Sequence, residues 1–310
     1  MLAVLALIAP LFGLIALGFA IGRTPYLAPG AGKILAEFGF KVAMPALLFR
    51  ASVGFTALPS SPLPLLAAYF GASALVWIAA TLAARWLLKR PPGDDAAVAM
   101  GSCFGNTVML GIPLCLIAFG EGAATPAAII VAVETPMLWV IATLHAEWTT
   151  RRSGIGLKVL RGIALDLLRN PIIMSIVLGV LWRLTGIGIP ETLDRFLALL
   201  GQAAIPTALV ALGLTLSQFE IRGEAPTLAV ICLFKLLLFP LLAFATTSFA
   251  GLPPVWAAVA VIFAAMPVGA NAYLFAVRYD RVVNSVAGSL ALSTVIAAAT
   301  VSLLLWAAGW

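Results

Sequence analysis

Polar residues are sparse along this chain and fall in clusters. Between the clusters run apolar stretches near 2–22, 34–54, 63–88, 96–119, 124–147, 164–185, 194–217, 226–250, 255–278 and 282–308, bounded by charged or Pro/Gly-rich breaks. Each is long enough to cross a bilayer as a helix, which takes about 20 residues. The pattern predicts an all-α polytopic membrane protein with ten transmembrane helices.

Composition then removes most other classes. Of 310 residues, 63% are hydrophobic and 10% charged, with a mean hydropathy of +1.13. Ten spans leave about 90 positions for nine connections, too few for a soluble domain. An extramembrane kinase, a DNA-binding module and a secreted disulfide scaffold are thereby argued against. What remains is transport, channel conduction or chemistry on a lipid. The isoelectric point near 9.6 does not point to nucleic acid, because the basic residues punctuate apolar runs instead of forming a stripe. Leu2–Gly22 has no basic flank before it and no small-residue cleavage site ahead of Arg23, so it reads as a retained first helix.

The loop charges set an orientation. Arg23, Lys33, Arg85, Lys89, Arg90, Arg151, Arg152, Lys158, Arg161, Arg222, Arg278 and Arg281 fall on one side, against only Arg183 and Arg195 on the other. The positive-inside rule puts the first group in the cytoplasm and both termini outside. The chain also echoes itself. Leu17-Gly18 recurs as Leu178-Gly179, and Met44-Pro45-Ala46 as Ile205-Pro206-Thr207, both 161 positions later. Five spans per half is odd, so the halves would be inverted relative to one another, the architecture of secondary transporters. The division expected is 1–148 for the first repeat, a basic cytoplasmic linker at 149–162, and 163–310 for the second repeat.

Two spans carry their own breaks. The fourth contains Gly105-Asn106-Thr107 and then Gly111-Ile112-Pro113; the ninth contains Met266-Pro267-Val268-Gly269-Ala270-Asn271. Proline deletes an amide donor and displaces the carbonyl four residues back, and glycine eases unwinding. Pro113 and Pro267 are therefore expected to break their helices, with Gly111 and Gly269 letting them unwind. Non-helical backbone at membrane depth is tolerated only where it lines protein or a wet cavity. Half-helices starting after the two prolines would offer free amides to an anion, with Asn106 and Asn271 as side-chain contacts. Prolines kinking packed helices, with the asparagines as interhelical glue, is the competing reading.

The strings Arg169-Asn170-Pro171-Ile172-Ile173-Met174, Pro206 to Leu216, Lys235 to Pro240, Gly105-Asn106 to Pro113 and Met266 to Asn271 together resemble the auxin efflux carrier family. That family includes plant auxin exporters and bacterial permeases described for malonate and malate. The resemblance implies two inverted five-helix repeats whose helices four and nine cross at their prolines. It implies a scaffold domain of helices 1, 2, 6 and 7 and a transport domain of helices 3–5 and 8–10. It further implies elevator-like movement of small organic anions, a homodimer, and no cofactor beyond a coupling ion, H+ or Na+. The plant exporters place an asparagine after the helix-four proline where this chain has Leu114, and many carry a large cytoplasmic loop that this chain lacks. Both departures favour the compact bacterial branch and a malonate- or malate-like substrate. The substrate set is then Asn106, Thr107, Gly111, Pro113, Leu114, Pro267, Gly269 and Asn271.

Ionisable groups inside spans are costly and stand as functional candidates. Lys41 and Lys235 could compensate an anionic substrate; the structural readings are an i,i+4 pair with Glu37 for Lys41 and, for Lys235, snorkelling or pairing with a buried carboxylate. Glu134, in mid-span, could couple to protons or ligate sodium, or could be a hydrogen-bonded structural group. His145 and Arg50 read as interfacial, and Asp94-Asp95 as the N-terminal cap of the fourth span. Other chemistry is missing. No lysine precedes Ser or Thr, so there is no P-loop. One histidine with Cys103, Cys115 and Cys232 in apolar runs makes no metal site, and no catalytic residue is assigned. A carrier in the bacterial inner membrane is expected. A sodium-coupled symporter of the bile-acid type is the alternative, with an anion channel or a lipid-modifying enzyme further away.

Overall fold

The computed structural model describes residues 2–54, 61–150, 171–218 and 224–307. Most of the expected linker and the head of the sixth span lie outside these residues. The described residues are helical apart from short connections and one isolated antiparallel bridge. The helices are α1 (Leu2–Gly22), α2 (Ala31–Phe38), α3 (Met44–Gly54), α4 (Leu63–Leu82), α5 (Asp94–Cys103), α6 (Ile112–Phe119) and α7 (Ala124–Thr150). They continue with α8 (Pro171–Leu184), α9 (Glu191–Leu216), α10 (Ala225–Leu233), α11 (Phe239–Phe249), α12 (Pro254–Ala265), α13 (Ala270–Tyr279) and α14 (Val283–Ala307).

Five continuous helical runs are long and apolar enough to cross a membrane: Leu63–Leu87, Thr107–Thr149, Glu191–Leu216, Ala225–Phe249 and Val283–Trp306. Two shorter apolar helices, Ala9–Gly22 and Pro254–Ala265, accompany them. Their outward faces carry Leu75, Ile78, Leu199, Leu237 and Phe249 exposed. That is a surface made for lipid, and the protein is a multi-pass membrane protein.

Four π-helical turns lie among the described residues, at Gly39–Ala43, Ala83–Leu87, Thr107–Gly111 and Phe234–Leu238. Three of them end two residues before a proline: Pro45, Pro113 and Pro240. The sequence explains the pairing. A proline ring clashes with the carbonyl four residues back, and a turn bonded i to i+5 widens the helix there, so the chain passes the proline without breaking.

The chain forms two compact units, each drawing segments from both halves of the sequence. The first comprises Met1–Ser61, Val108–Ala128 and Asp166–Gln218; the second Pro62–Thr107, Ile129–Leu165 and Phe219–Trp310. In the first unit α1 packs on α9 and α3 on α8. Small residues allow backbone to meet backbone. A β-carbon on Gly18 would collide with the Val210 carbonyl, and one on Gly179 would come within 2.8 Å of the Phe49 carbonyl. Gly18 to Gly179 and Phe49 to Val210 are the same 161-residue step, so the two crossings use equivalent positions. The same unit holds a cavity of about 340 Å³ lined by Arg50, Glu121 and Asp194 among apolar neighbours. Arg50 is not a lone interfacial anchor there: its guanidinium donates to both Asp194 oxygens, at 2.6 and 3.1 Å.

The second unit packs α4 against α5 and α11, α11 against α12, and α10 against α14. Ala96 to Met100 on α5 and Ala258 to Ala265 on α12, rich in alanine and valine, are buried throughout. Both helices end in non-helical residues, and it is there that backbone meets backbone.

Candidate functional site

α5 ends at Cys103 and α12 at Ala265. Phe104, after α5, and Met266, after α12, are both extended, with φ −76°, ψ 113° and φ −62°, ψ 145°. The two breaks lie against each other. Gly105 and Val268 pair as an antiparallel bridge, the Asn106 amide donates to the Pro267 carbonyl at 2.8 Å, and the Gly269 amide donates to the Phe104 carbonyl at 2.9 Å. Interrupting a buried helix strands backbone groups that must find partners, and here each break satisfies the other.

This corrects the expected position of the first break. The non-helical residues are Phe104 to Asn106, whereas Pro113 sits at the start of α6, carried past by the π turn Thr107–Gly111. Gly111 is helical, at φ −64°, ψ −51°, so it does not unwind the chain. Gly269 does lie in a break, but its φ of −87° and ψ of 155° suit any residue. Its missing side chain is needed for space: a β-carbon would sit 2.5 Å from the Gly105 oxygen and 2.8 Å from the Phe104 ring.

Two further stranded groups are capped by side chains. Val268 has lost its helical acceptor, and its amide donates to Ser293 Oγ at 3.0 Å. The Ala264 carbonyl, whose i+4 partner would be Val268, accepts from the Lys235 ammonium at 2.7 Å. Lys235 rises from the π turn Phe234–Leu238 and is fully buried. Its Nζ lies 4.4 Å from the centre of the Phe239 ring, and it approaches within 3.1 Å of where a Gly105 β-carbon would stand. Gly105 thus makes room for the ammonium.

Glu134 completes the cluster. It is buried in α7, with Tyr69 Oη donating to Oε1 and Thr107 Oγ1 donating to Oε2, each at 2.7 Å. Lys235 and the Gly105 amide are close enough for their charge and dipole to act on it. Tyr69 is itself held by the rings of Phe70 and Phe239, at 5.2 and 5.3 Å. A carboxylate and an ammonium buried in hydrocarbon are costly singly and tolerable together when hydrogen-bonded. Tyr69 and Ser293 were not singled out by sequence reasoning. Nothing but a hydroxyl inside an apolar run distinguishes them.

The structure therefore brings Asn106, Thr107, Pro267, Gly269, Glu134 and Lys235 together in the second unit. Asn106 is nine-tenths buried, and no described hydrogen bond engages its side-chain amide. Asn271 lies in the first turn of α13, half-buried, its amide likewise without a described bond. Gly111, Pro113 and Leu114 belong to the first unit and are buried there on the π turn and α6. Lys41 is also in the first unit, exposed and paired with Glu37 at 3.1 Å, as the i,i+4 reading had it.

At the head of α5, Asp95 receives Arg85 Nε at 2.5 Å and faces His145 Nε2 at 3.3 Å, while its other oxygen accepts from the Gly93 and Ala96 amides. Trp77 donates to His145 Nδ1 at 3.2 Å. His145 is thus one member of a network joining the ends of α4, α5 and α7, not an isolated interfacial residue. Burial pushes the Asp95 carboxyl up, but the hydrogen bonds and charges of His145 and Arg85 outweigh it and bring it down to about 2. Asp94 next to it is pushed up by burial, against the nearby charges of Arg281 and Arg90. Arg90 in turn pairs with Glu224 and donates to Thr227 at 2.6 Å.

Long apolar helices with two interlocked mid-helix breaks define a membrane transporter. Comparison with known proteins agrees: residues 3–306 match the membrane transport protein family, and the chain belongs to that family, the auxin efflux carriers its motifs resemble. The chain is similar to a protein of Rhizobium meliloti (strain 1021) named "Putative malonate transporter", 27% identical over 301 residues, which covers 97% of this chain and 94% of the relative. It is also similar to an uncharacterized transporter of Methanothermobacter thermautotrophicus (strain Delta H), 25% identical over 74% of this chain and 73% of that one.

Proposed function

We propose that this protein is a secondary carrier of small organic anions, mono- or dicarboxylates of malonate or malate size, in the bacterial inner membrane. The observation that carries this reading is the interlocked pair of breaks. Past the second break a new helix begins at Ala270, and first-turn amides with a positive dipole end attract a carboxylate. Asn106 lies in the first break and Asn271 in that first turn, and no described hydrogen bond engages either side-chain amide. The relative's name supports malonate as the first substrate to try.

In this reading the ten spans form two inverted five-helix repeats with both termini outside. The equivalent glycine crossings, Gly18 on Val210 and Gly179 on Phe49, support the repeat. Helices 1, 2, 6 and 7 form the scaffold, and the unit with the breaks carries the substrate across in an elevator-like step, with a homodimer as the assembly. The compact units support that division, although Val108–Ala128 groups with the scaffold segments.

The test is uptake of labelled malonate into proteoliposomes under imposed pH and voltage gradients, with unlabelled malate as competitor. Saturable uptake that malate suppresses is expected. Absence of flux for every C3 and C4 carboxylate, or a conductance far above carrier turnover, overturns the reading.

A further inference from the structure

α5 and α12 both end at the breaks, so their C-terminal ends, each with a partial negative charge, are brought to one place in the second unit. Half-helix C-termini and unwound carbonyls are where transporters with broken helices commonly hold a coupling cation. In this chain that place is filled from within. The Lys235 ammonium takes the Ala264 carbonyl that the α12 break strands, at 2.7 Å, rests on the Phe239 ring at 4.4 Å, and lies beside Gly105 just past the end of α5. The Glu134 carboxylate, held by Tyr69 and Thr107, supplies the opposite charge. Carbonyl, carboxylate and aromatic face are all cation ligands; a covalently attached cation already engages the carbonyl and the ring, and the carboxylate balances its charge from beyond ion-pair contact. Asp, Glu, Lys, Arg and His are otherwise absent from the described contacts of this cluster; Tyr69 and Cys103, the latter donating to the Ser73 carbonyl, are its other ionisable neighbours.

We propose that Lys235 is the resident cation of the crossover, standing where an inorganic ion would sit, so that the protein has no sodium site there and its transport requires no sodium. This rests on the carrier reading for transport but not for binding, and the two can fail separately. The cluster is electrically complete when empty, since ammonium and carboxylate balance. A sodium ion added to it would meet the ammonium at close range with no spare carboxylate. Removing the ammonium reverses the situation: the Ala264 carbonyl loses its donor and the Glu134 carboxylate is left as one unbalanced negative charge in the cluster.

The experiment uses the purified full-length protein in sodium, potassium or choline chloride at equal ionic strength. Thermal unfolding is followed alongside binding of radioactive sodium. The wild type is expected to melt within about 1 °C in all three salts and to retain no stoichiometric sodium, because an ion that does not bind the native state cannot stabilise it. Lys235→Gln is expected to melt at least about 3 °C higher in sodium than in choline, by the same mass action. The double variant Lys235→Gln with Glu134→Gln, which removes both charges, is expected to lose that difference.

In proteoliposomes, exchanging sodium for choline should change wild-type malonate uptake by less than twofold. Stoichiometric sodium binding to the wild type, a sodium-specific rise in its melting point, or about a tenfold loss of uptake in choline overturns the proposal. So does a folded Lys235→Gln protein indifferent to sodium. If Lys235→Gln does not fold, the wild-type arms still decide. Absence of malonate uptake in every salt would refute the carrier reading and leave the binding result standing.

Discussion

Replacing Gly269 with alanine tests whether the two breaks interlock in the working protein. The added methyl would lie 2.5 Å from the Gly105 oxygen, 2.8 Å from a Phe104 ring carbon and 2.9 Å from the Gly105 carbonyl carbon. Two of these are backbone atoms fixed by the bridge, so relief comes only by parting the breaks. Overpacking a rigid core costs about 1–3 kcal/mol. Weakening the hydrogen bonds from Asn106 to Pro267 and from Gly269 to Phe104 adds about 1 kcal/mol each. The sum, roughly 3–5 kcal/mol, falls on the place where the carrier reading puts the substrate. The backbone angles of Gly269 are open to alanine, so none of this cost is torsional. Gly13→Ala and Gly71→Ala are the controls, because a β-carbon at either meets nothing within 4 Å and alanine favours a helix by up to about 1 kcal/mol. The assay is the apparent melting midpoint in detergent together with saturable malonate uptake. Gly269→Ala should melt about 6–20 °C lower, at roughly 2–4 °C per kcal/mol, and keep less than about a tenth of wild-type uptake, while the controls match wild type. A Gly269→Ala protein with unchanged melting and uptake would refute the close approach.

Other consequences follow from the same geometry. Asn106→Ala and Asn271→Ala should each raise the concentration for half-maximal uptake about tenfold or more, since each loses a hydrogen bond to a charged group worth about 1.5–3 kcal/mol; wild-type values in both would remove them from the site. Tyr69→Phe takes one of two donors from a buried carboxylate and should cost about 1–3 kcal/mol of stability in melting experiments, and an unchanged midpoint would mean Glu134 is not held as described. Asp95 has its carboxyl held below its unfolded value of 3.8, at about 2. Its pairing therefore stabilises the fold fully above pH 3.8 and is lost as pH falls from there toward 2. Acid melting curves should accordingly show a loss of about 1–2 kcal/mol in that window, discounted because Arg85 is half-exposed to solvent, and Asp95→Asn should abolish it. Gly18→Leu and Gly179→Leu should be comparably destabilising if they occupy equivalent crossings; a large effect from one and none from the other would count against the inverted repeat.

Much of this was legible before any coordinates. The apolar runs gave the helices, because a membrane leaves the backbone little choice; α1 and α9 lie within a few residues of the expected spans. The proline, glycine and asparagine strings identified which two spans are interrupted. They did not place the first interruption, because Pro113 signals a break only if the helix keeps its ordinary pitch. The π turn Thr107–Gly111 absorbs the ring, and the chain opens at Phe104 to Asn106 instead. Glycine was likewise ambiguous, since sequence cannot tell a residue needed for its torsions from one needed for its absent side chain. Gly269 and Gly105 are of the second kind, visible only once the facing backbone and Lys235 are in place. Glu134 and Lys235 were conspicuous as charges in hydrocarbon, but they lie 101 positions apart. Their joint service to the breaks depends on packing that Tyr69, Thr107 and Phe239 set and that no local pattern encodes.

The most direct test of the central claim is equilibrium binding of labelled malonate to the purified protein and to the Asn106→Ala, Asn271→Ala double variant. Saturable one-site binding by the wild type, weakened about a hundredfold or more in a double variant that melts like the wild type, is the result the interlocked breaks require. Equal affinity in the two proteins would place the anion elsewhere and contradict the account.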